Sequence, residues 1–411
     1  MKRFSDWFRS SPAPIRYVLI CTALALAYYA LQKFNHRDGM ADFRVYYDAT
    51  QAWLSGDSPY GKAFGVSSGY YKYSPAALIP FSVLVWLPYP LASAIYFAVV
   101  LAAFLILSLL LVRFMEQELG FSSQRRGWLL ALSALFLADH FERELHLGNV
   151  NLFLLIAALA LYVCWRNGRA RSAGVILASI LLVKPHFAIL VPYFFWKKEF
   201  RTLAWMAAGV LAGLLLPALT EGWSGNIALH REWLAAMQHH NMRLSLSPHT
   251  LYGILNDWVL APLGQQGGRS LVIAALASCA IGFFALLLLN RHRKEDPASC
   301  FLEFFLLIGL IPNLTHTDTE HFMWSWPLVT YSMAWLLTDA FPWRRLTIAV
   351  LLLSFIPYTL NSPDLVGRRM SWLVDEGGLL GMANVLLLAL AVALYLRQPH
   401  RHATSAANRA S

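Results

Sequence analysis

The sequence predicts an all-α fold, a polytopic integral membrane protein of about twelve transmembrane helices, some of them short or broken. Three observations predict it. Hydrophobic residues make up 58% of the chain and charged residues 14%, against about 25% charge in soluble proteins. The apolar residues come in long runs, several of which reach the ~20 residues that a bilayer-crossing helix needs. Lys and Arg, which give a net charge of +10, gather in the short connectors between those runs, as they do in cytoplasmic loops. That placement also argues against a nucleic-acid partner, because no basic cluster lies in a recognition motif. Cys21, Cys164, Cys279 and Cys300 sit within or beside apolar runs, so neither a disulfide framework nor a CxxC metal site can be read from them.

The basic connectors give each run its direction. Lys2, Arg3, Arg9 and Arg16 set the N-terminus in the cytoplasm. Residues 16–34 are long enough to span and lack a clear small-residue cleavage site, so they form a retained first helix. Residues 35–75 are then a polar interval on the outer side. Residues 76–87, about a dozen and interrupted by Pro80, predict a shallow or re-entrant helix. Residues 91–112 return inward, 128–138 exit, 139–150 form an outer loop, and 151–165 come back to Arg166, Arg169 and Arg171. The run 172–196 is broken at Lys184-Pro185-His186. Two half-spans there keep Lys197, Lys198 and Arg201 inside and put Lys184 near the outer surface. Residues 202–219 exit to a second long outer loop, 220–269, in which Ile227, Trp233, Leu234 and Met237 recur at the spacing of a surface helix. Further spans follow at 270–289, 300–311, 322–337, 346–357 and 378–396. Residues 1–396 are thus one transmembrane domain and 397–411 a disordered basic tail, with both termini cytoplasmic in the cell (inner) membrane. Most acids and histidines fall on the outer face.

Within 35–75, Val45, Ala49, Ala52 and Trp53 repeat at helical spacing, and Gly56 followed by Pro59 is a stop. Asp42 lies at the start of this short helix, either as its N-cap or as a working acid. Asp48 is six residues on, about 240° around the helix, so the two carboxylates do not share one site. Lys184 at a Lys-Pro break in a hydrophobic run is either a functional cation or a snorkelling anchor. Asn149 and Asn151 open a span and suit sugar hydroxyls or a helix start equally. Between Thr315 and His321, His316, Asp318, Glu320 and His321 are all metal-ligand types, but no established ligand spacing is present. No metal or other cofactor is expected, and the histidines there fit a phosphate or plain loop polarity. Glu303, near the cytoplasmic end of its span, has no assigned role. A transporter or lipid flippase is the alternative reading; it predicts repeated halves and mid-bilayer charges, which the sequence does not display.

The series Asp42-Phe43-x-Val45-Tyr46, Tyr71-x-Tyr73-x-Pro75, Gly148-Asn149-x-Asn151 and Lys184-Pro185 resembles glycosyltransferase family 87, integral-membrane mannosyltransferases of the GT-C fold that use a polyprenyl-phosphate sugar. Order and approximate spacing agree over residues 41–201. The resemblance implies an inverting transfer, most often of mannose, to a lipid or glycan acceptor on the outer face, with membrane lipids around it. It implies that Asp42, the acid of the first outer loop, is the general base. Lys184 is the first choice to offset charge on the departing phosphate, followed by Arg44, Lys72, His316 and His321. Tyr46, Tyr71, Asn149 and Asn151 are expected at the sugar or acceptor. His249 joins them because Ser247 to Leu251 falls where relatives carry an Asn-Gln-Ser-Leu-like turn.

Overall fold

The computed structural model describes residues 11–37, 39–65, 69–119, 122–241, 247–289, 296–315, 318–338, 343–361 and 366–397. Among them the chain is helical, with one isolated bridge between Ala63 and Tyr70. Of the expected tail only Arg397 is described, as the end of a helix, and residues 398–411 and His316 lie outside the described residues.

Helix α1, Ala13–Phe34, has 22 residues, or about 33 Å at 1.5 Å each, enough for the ~30 Å hydrocarbon core. It is followed by α2, Ala41–Leu54, whose buried face is Phe43, Val45, Tyr46, Tyr47, Ala49, Thr50 and Trp53, the stripe seen in the sequence. Gly56, with φ 83, turns the chain just past its end, as an αL glycine does after a helix. The short apolar piece is a 3-10 helix, Pro75–Val83, with Pro80 inside it. Helix α3, Tyr89–Leu119, is longer than its expected span. Then come α4, Arg126–Phe136, and α5, Ala138–Leu147.

Helix α5 corrects the expected outer loop at 139–150. Its charged residues hide a helical stripe on which Leu145, and with it His140 and Glu144, is buried. It bends by 116° into α6, Asn151–Arg166. Gly148, in the left-handed region at φ 70, makes the bend. A Cβ there would lie 2.7 Å from the Phe43 Cβ of α2, so the lack of a side chain lets α2 sit on this turn.

The broken run appears as read: α7, Ala170–Val183, a 3-10 turn Pro185–Ile189, and α8, Leu190–Trp196. Lys184 between them is extended, φ −131 and ψ 98, because a residue before proline is pushed out of the helical region. Helix α9, Phe200–Leu215, packs on α7 and bends by 88° into α10, Ala218–Asn241, so residues 227–237 are helical as their spacing predicts. Helices α11, Leu251–Leu255, and α12, Arg269–Leu289, lead to α13, Pro297–Leu314. A 3-10 helix, Thr319–Ser325, precedes α14, Trp326–Leu336, then α15, Arg344–Thr359, α16, Arg368–Asp375, and α17, Leu379–Arg397.

Each of the expected spans is present as a helix. Among the described residues, however, five helices are long and apolar enough to cross a bilayer alone, or seven if each bent pair is one span. The count of about twelve included pieces such as α4, at 11 residues, that fall short of the ~20 required. The packing has a centre and a rim: α13 is 83% buried along its span, whereas α1 and α12 are each 11% buried. The centre is aromatic, with Trp324, Trp326, Tyr162, Tyr193 and Tyr331 fully enclosed.

Candidate active site

Three segments meet over the α5–α6 turn: the first turn of α2, the loop leading to Pro75, and the Lys184 break. The backbone N–H of Ser74 donates to Leu182 O at 3.2 Å, fastening the loop to the end of α7. Between them lies a cavity of about 150 Å³ whose lining includes Asp42, Tyr46, Lys72, Tyr73, Asn149 and Lys184. Asp318 and His321 close it from the 3-10 helix before α14.

Asp42 does not cap α2. The cap position is Met40, with φ 41 and no side-chain cap bond, and the Asp42 carboxylate instead accepts from Asn149 Nδ2 at 2.7 Å. Asn149 is itself fixed by its Oδ1, which accepts from the Val150 N–H at 2.7 Å. Burial first, and then the nearby Glu320 carboxylate, push the Asp42 pKa up to about 6, while Lys184 acts in the opposite sense. This leaves Asp42 ionised at neutral pH and a stronger base than a solvated aspartate.

Lys184 is buried, and its Nζ donates to Asn151 Oδ1 at 2.7 Å and meets His321 Nε2. His321 Nδ1 donates to the Asp318 carbonyl at 3.0 Å, so Nε2 is the ring's acceptor and faces the ammonium. Burial and the Lys184 charge both hold His321 in its neutral form. Asn151 is held in turn, its Nδ2 donating to Glu144 Oε1 at 2.6 Å. An ammonium has three N–H donors, and among the described residues two have partners. The third is left for whatever enters the cavity.

The other sequence candidates divide. Lys72 and Tyr46 line the cavity, with Tyr46 Oη and Tyr73 Oη 2.9 Å apart. Arg44 does not line it: its Nε bonds Asp48 at 2.6 Å and its guanidinium stacks 4.3 Å over Tyr89. Tyr71 is buried away from the cavity, its Oη 3.4 Å from Ser74 O. Asn151 lies one layer beneath, touching Lys184 rather than the opening. His249 packs edge-on against Phe322 and accepts, through its carbonyl, from Asn313 Nδ2. Sequence reasoning missed Arg143 and Glu144, and gave Tyr73 and Glu320 no role at the cavity. Arg143 pairs with Glu320 at 2.7 Å, and the helical period of Leu137, Phe141 and Leu145 was the available signal for the helix that carries it.

Ligand atoms of Asp318, Glu320 and His321 lie within 4.8 Å of one another. Two of the three are engaged by protein cations, Glu320 by Arg143 and His321 by Lys184. A metal ion on His321 Nε2 would have to displace Lys184.

Residues 71–311, more than half of the chain, match glycosyltransferase family 87. The chain belongs to glycosyltransferase family 87. The matched segment carries Tyr73, Asn149, Asn151 and Lys184; Asp42 precedes it. Among curated proteins, the family 87 chain is similar to the alpha-(1->3)-arabinofuranosyltransferase of Corynebacterium glutamicum, 24% identical over 179 residues, which are 43% of this chain and 40% of that protein. The alignment thus spans less than half of that relative. Among solved structures, ArnT from Cupriavidus metallidurans, crystallised with undecaprenyl phosphate, aligns over 92% of this chain and 77% of its own at 13% identity and a TM-score of 0.39.

Proposed function

We propose that this family 87 protein is a GT-C glycosyltransferase that moves a sugar from a polyprenyl-phosphate donor to a hydroxyl of a lipid or glycan acceptor on the outer face of the cytoplasmic membrane. One observation carries the reading. A carboxylate of raised basicity and a buried ammonium with an unspent donor face the same small cavity. Asp42 takes the proton of the acceptor hydroxyl as its oxygen bonds to the anomeric carbon. The bond from that carbon to the phosphate oxygen breaks, and the electron pair leaves with the polyprenyl phosphate. Lys184, helped by Lys72, offsets the charge that grows on the leaving oxygen. Attack and departure on opposite faces of the sugar give inversion, which needs a single carboxylate base. No metal is required in this scheme. The sugar is the point on which family and relative diverge: the family resemblance points to mannose, whereas the curated relative is named for arabinofuranose.

The purified protein, given polyprenyl-phosphate mannose, polyprenyl-phosphate arabinofuranose or a nucleotide sugar, is expected to turn over one of the lipid-linked donors and not the nucleotide sugar. Turnover of the nucleotide sugar alone would refute the donor class.

A further inference from the structure

We propose that the groove between α1 and the face formed by α3, α4 and α5 is a binding site for an anionic phospholipid, with the phosphate on Arg16 and one acyl chain along the groove. The groove holds about 780 Å³ and small residues line it: Ala13 and Ala25 on α1, and Gly127, Ala131, Ala134 and Ala138 on α4 and α5, with Gly127 against Ala13. Helices with larger side chains would interdigitate here and leave no such space. Tyr17 and Ala25 are the buried residues of α1, and Tyr17 Oη donates to Ser108 Oγ at 2.8 Å. The helix is pinned at that point, and it also meets the body at Ala13, against Gly127, and at the buried Ala25.

The ends of the groove state what fits. Arg16, Gln124 and Trp128 form one end. Trp128, 66% exposed, is of the type that sits at headgroup level. Among the described residues Arg16 has no ion-pair partner; Glu116, which lines a neighbouring cavity, accepts from Arg126 at 2.6 Å. A guanidinium beside Gln124 is complementary to a phosphate. At the other end Tyr28 Oη donates to Glu142, and this polar pair stops an apolar chain. From Arg16 to Tyr28 is twelve residues of helix, about 18 Å, close to the ~15 Å depth of one leaflet in a ~30 Å core. One acyl chain fills that length; a long polyprenyl chain overruns it.

The test uses the full-length protein in detergent. Native mass spectrometry and thermal melting compare palmitoyl-oleoyl phosphatidylglycerol with phosphatidylcholine of the same chains, with a polyprenyl phosphate as competitor. Phosphatidylglycerol is expected to be retained preferentially and to raise the melting temperature. R16A should lower its retention about fivefold, the worth of one basic residue at an anionic surface, and leave phosphatidylcholine unchanged. A131L, which fills the groove, should lower retention of both. Equal retention of phosphatidylglycerol by wild type and R16A would overturn the proposal even if A131L does not fold. Displacement of phosphatidylglycerol by equimolar polyprenyl phosphate would overturn it too, assigning the groove to the donor.

Discussion

Asp42 is a half-buried charge and Lys184 a buried one, facing the same cavity. Ionised Asp42 is disfavoured by burial and by Glu320, and the enzyme's acid limb follows from it: kcat/KM should fall as pH drops below about 6. In kcat the limb should lie at higher pH, because a donor phosphate beside the carboxylate opposes its charge. The sign for stability is the reverse of the usual aspartate. A folded-state pKa above the unfolded one means that the group favours the fold at low pH and costs stability as pH rises through about 4 to about 6. Asp42→Asn keeps a partner for Asn149 and removes the charge, so it should melt higher at pH 7, by about 1–2 kcal/mol after discounting for partial exposure. The same variant should lose about 10²–10⁴-fold in transfer rate. Lys184→Ala removes a charge-assisted bond worth about 1.5–3 kcal/mol, so donor kcat/KM should fall by roughly ten- to a hundredfold; unchanged kcat/KM would leave it an anchor. Both residues were legible in the sequence, Asp42 by its loop and Lys184 by its proline. Asn149's hold on Asp42 was not, because a contact across 107 positions leaves no local periodicity.

The α5–α6 bend shows where a helix reading by hydrophobicity fails. Four charged residues in α5, Asp139, Glu142, Arg143 and Glu144, resemble a loop in composition. Two of them are spent holding other parts of the site, Arg143 on Glu320 and Glu144 on Asn151. The half-span break was readable because proline acts on its own neighbour; α5 was marked only by the period of Leu137, Phe141 and Leu145, because composition does not show that Asn151 holds Glu144 and Glu320 holds Arg143. Gly148 is the joint between α2 and this bend. Gly148→Ala should cost at least about 1–2 kcal/mol for the left-handed backbone alone, and the added Cβ must push Phe43 away. Melting should therefore fall together with activity; retained activity at a lowered melting point would show that the Asp42–Asn149 pair survives the shift. In the 3-10 helix carrying Glu320 and His321, the cations already occupy the ligand atoms. Chelation should leave the transfer rate unchanged, and a rate lost to chelator and restored by a divalent cation would place a metal at Asp318, Glu320 and His321.

For the whole molecule, an all-α membrane architecture was legible from composition and apolar runs, and the number of crossing helices was not. Run length does not tell a helix that crosses a bilayer from one enclosed by others: the spans of α13 and α12, 18 and 20 residues, are 83% and 11% buried. Burial also gives Glu303 a role that its sequence did not. Its carboxylate accepts from Tyr193 on α8 at 3.0 Å and Tyr395 on α17 at 2.7 Å, and pairs with Lys197 at 2.6 Å, tying three helices at the end away from the cavity. Lys197→Ala strands that charge and should destabilise the fold by about 3–5 kcal/mol, read as a lowered melting temperature; Glu303→Gln with Lys197→Ala should recover part of it. A pair that can be broken without thermal effect would not be a fastening.

The central claim is that Asp42 is the base of a lipid-linked sugar transfer. Single-turnover transfer from a polyprenyl-phosphate sugar, followed across pH 5 to 8 in wild type and Asp42→Asn, tests it most directly. The wild-type rate should rise with pH on a limb above 6, displaced upward by the bound donor phosphate, and the variant should bind donor as well while its residual rate shows no such limb. Equal rates for both proteins, or the same limb in the variant, would contradict it.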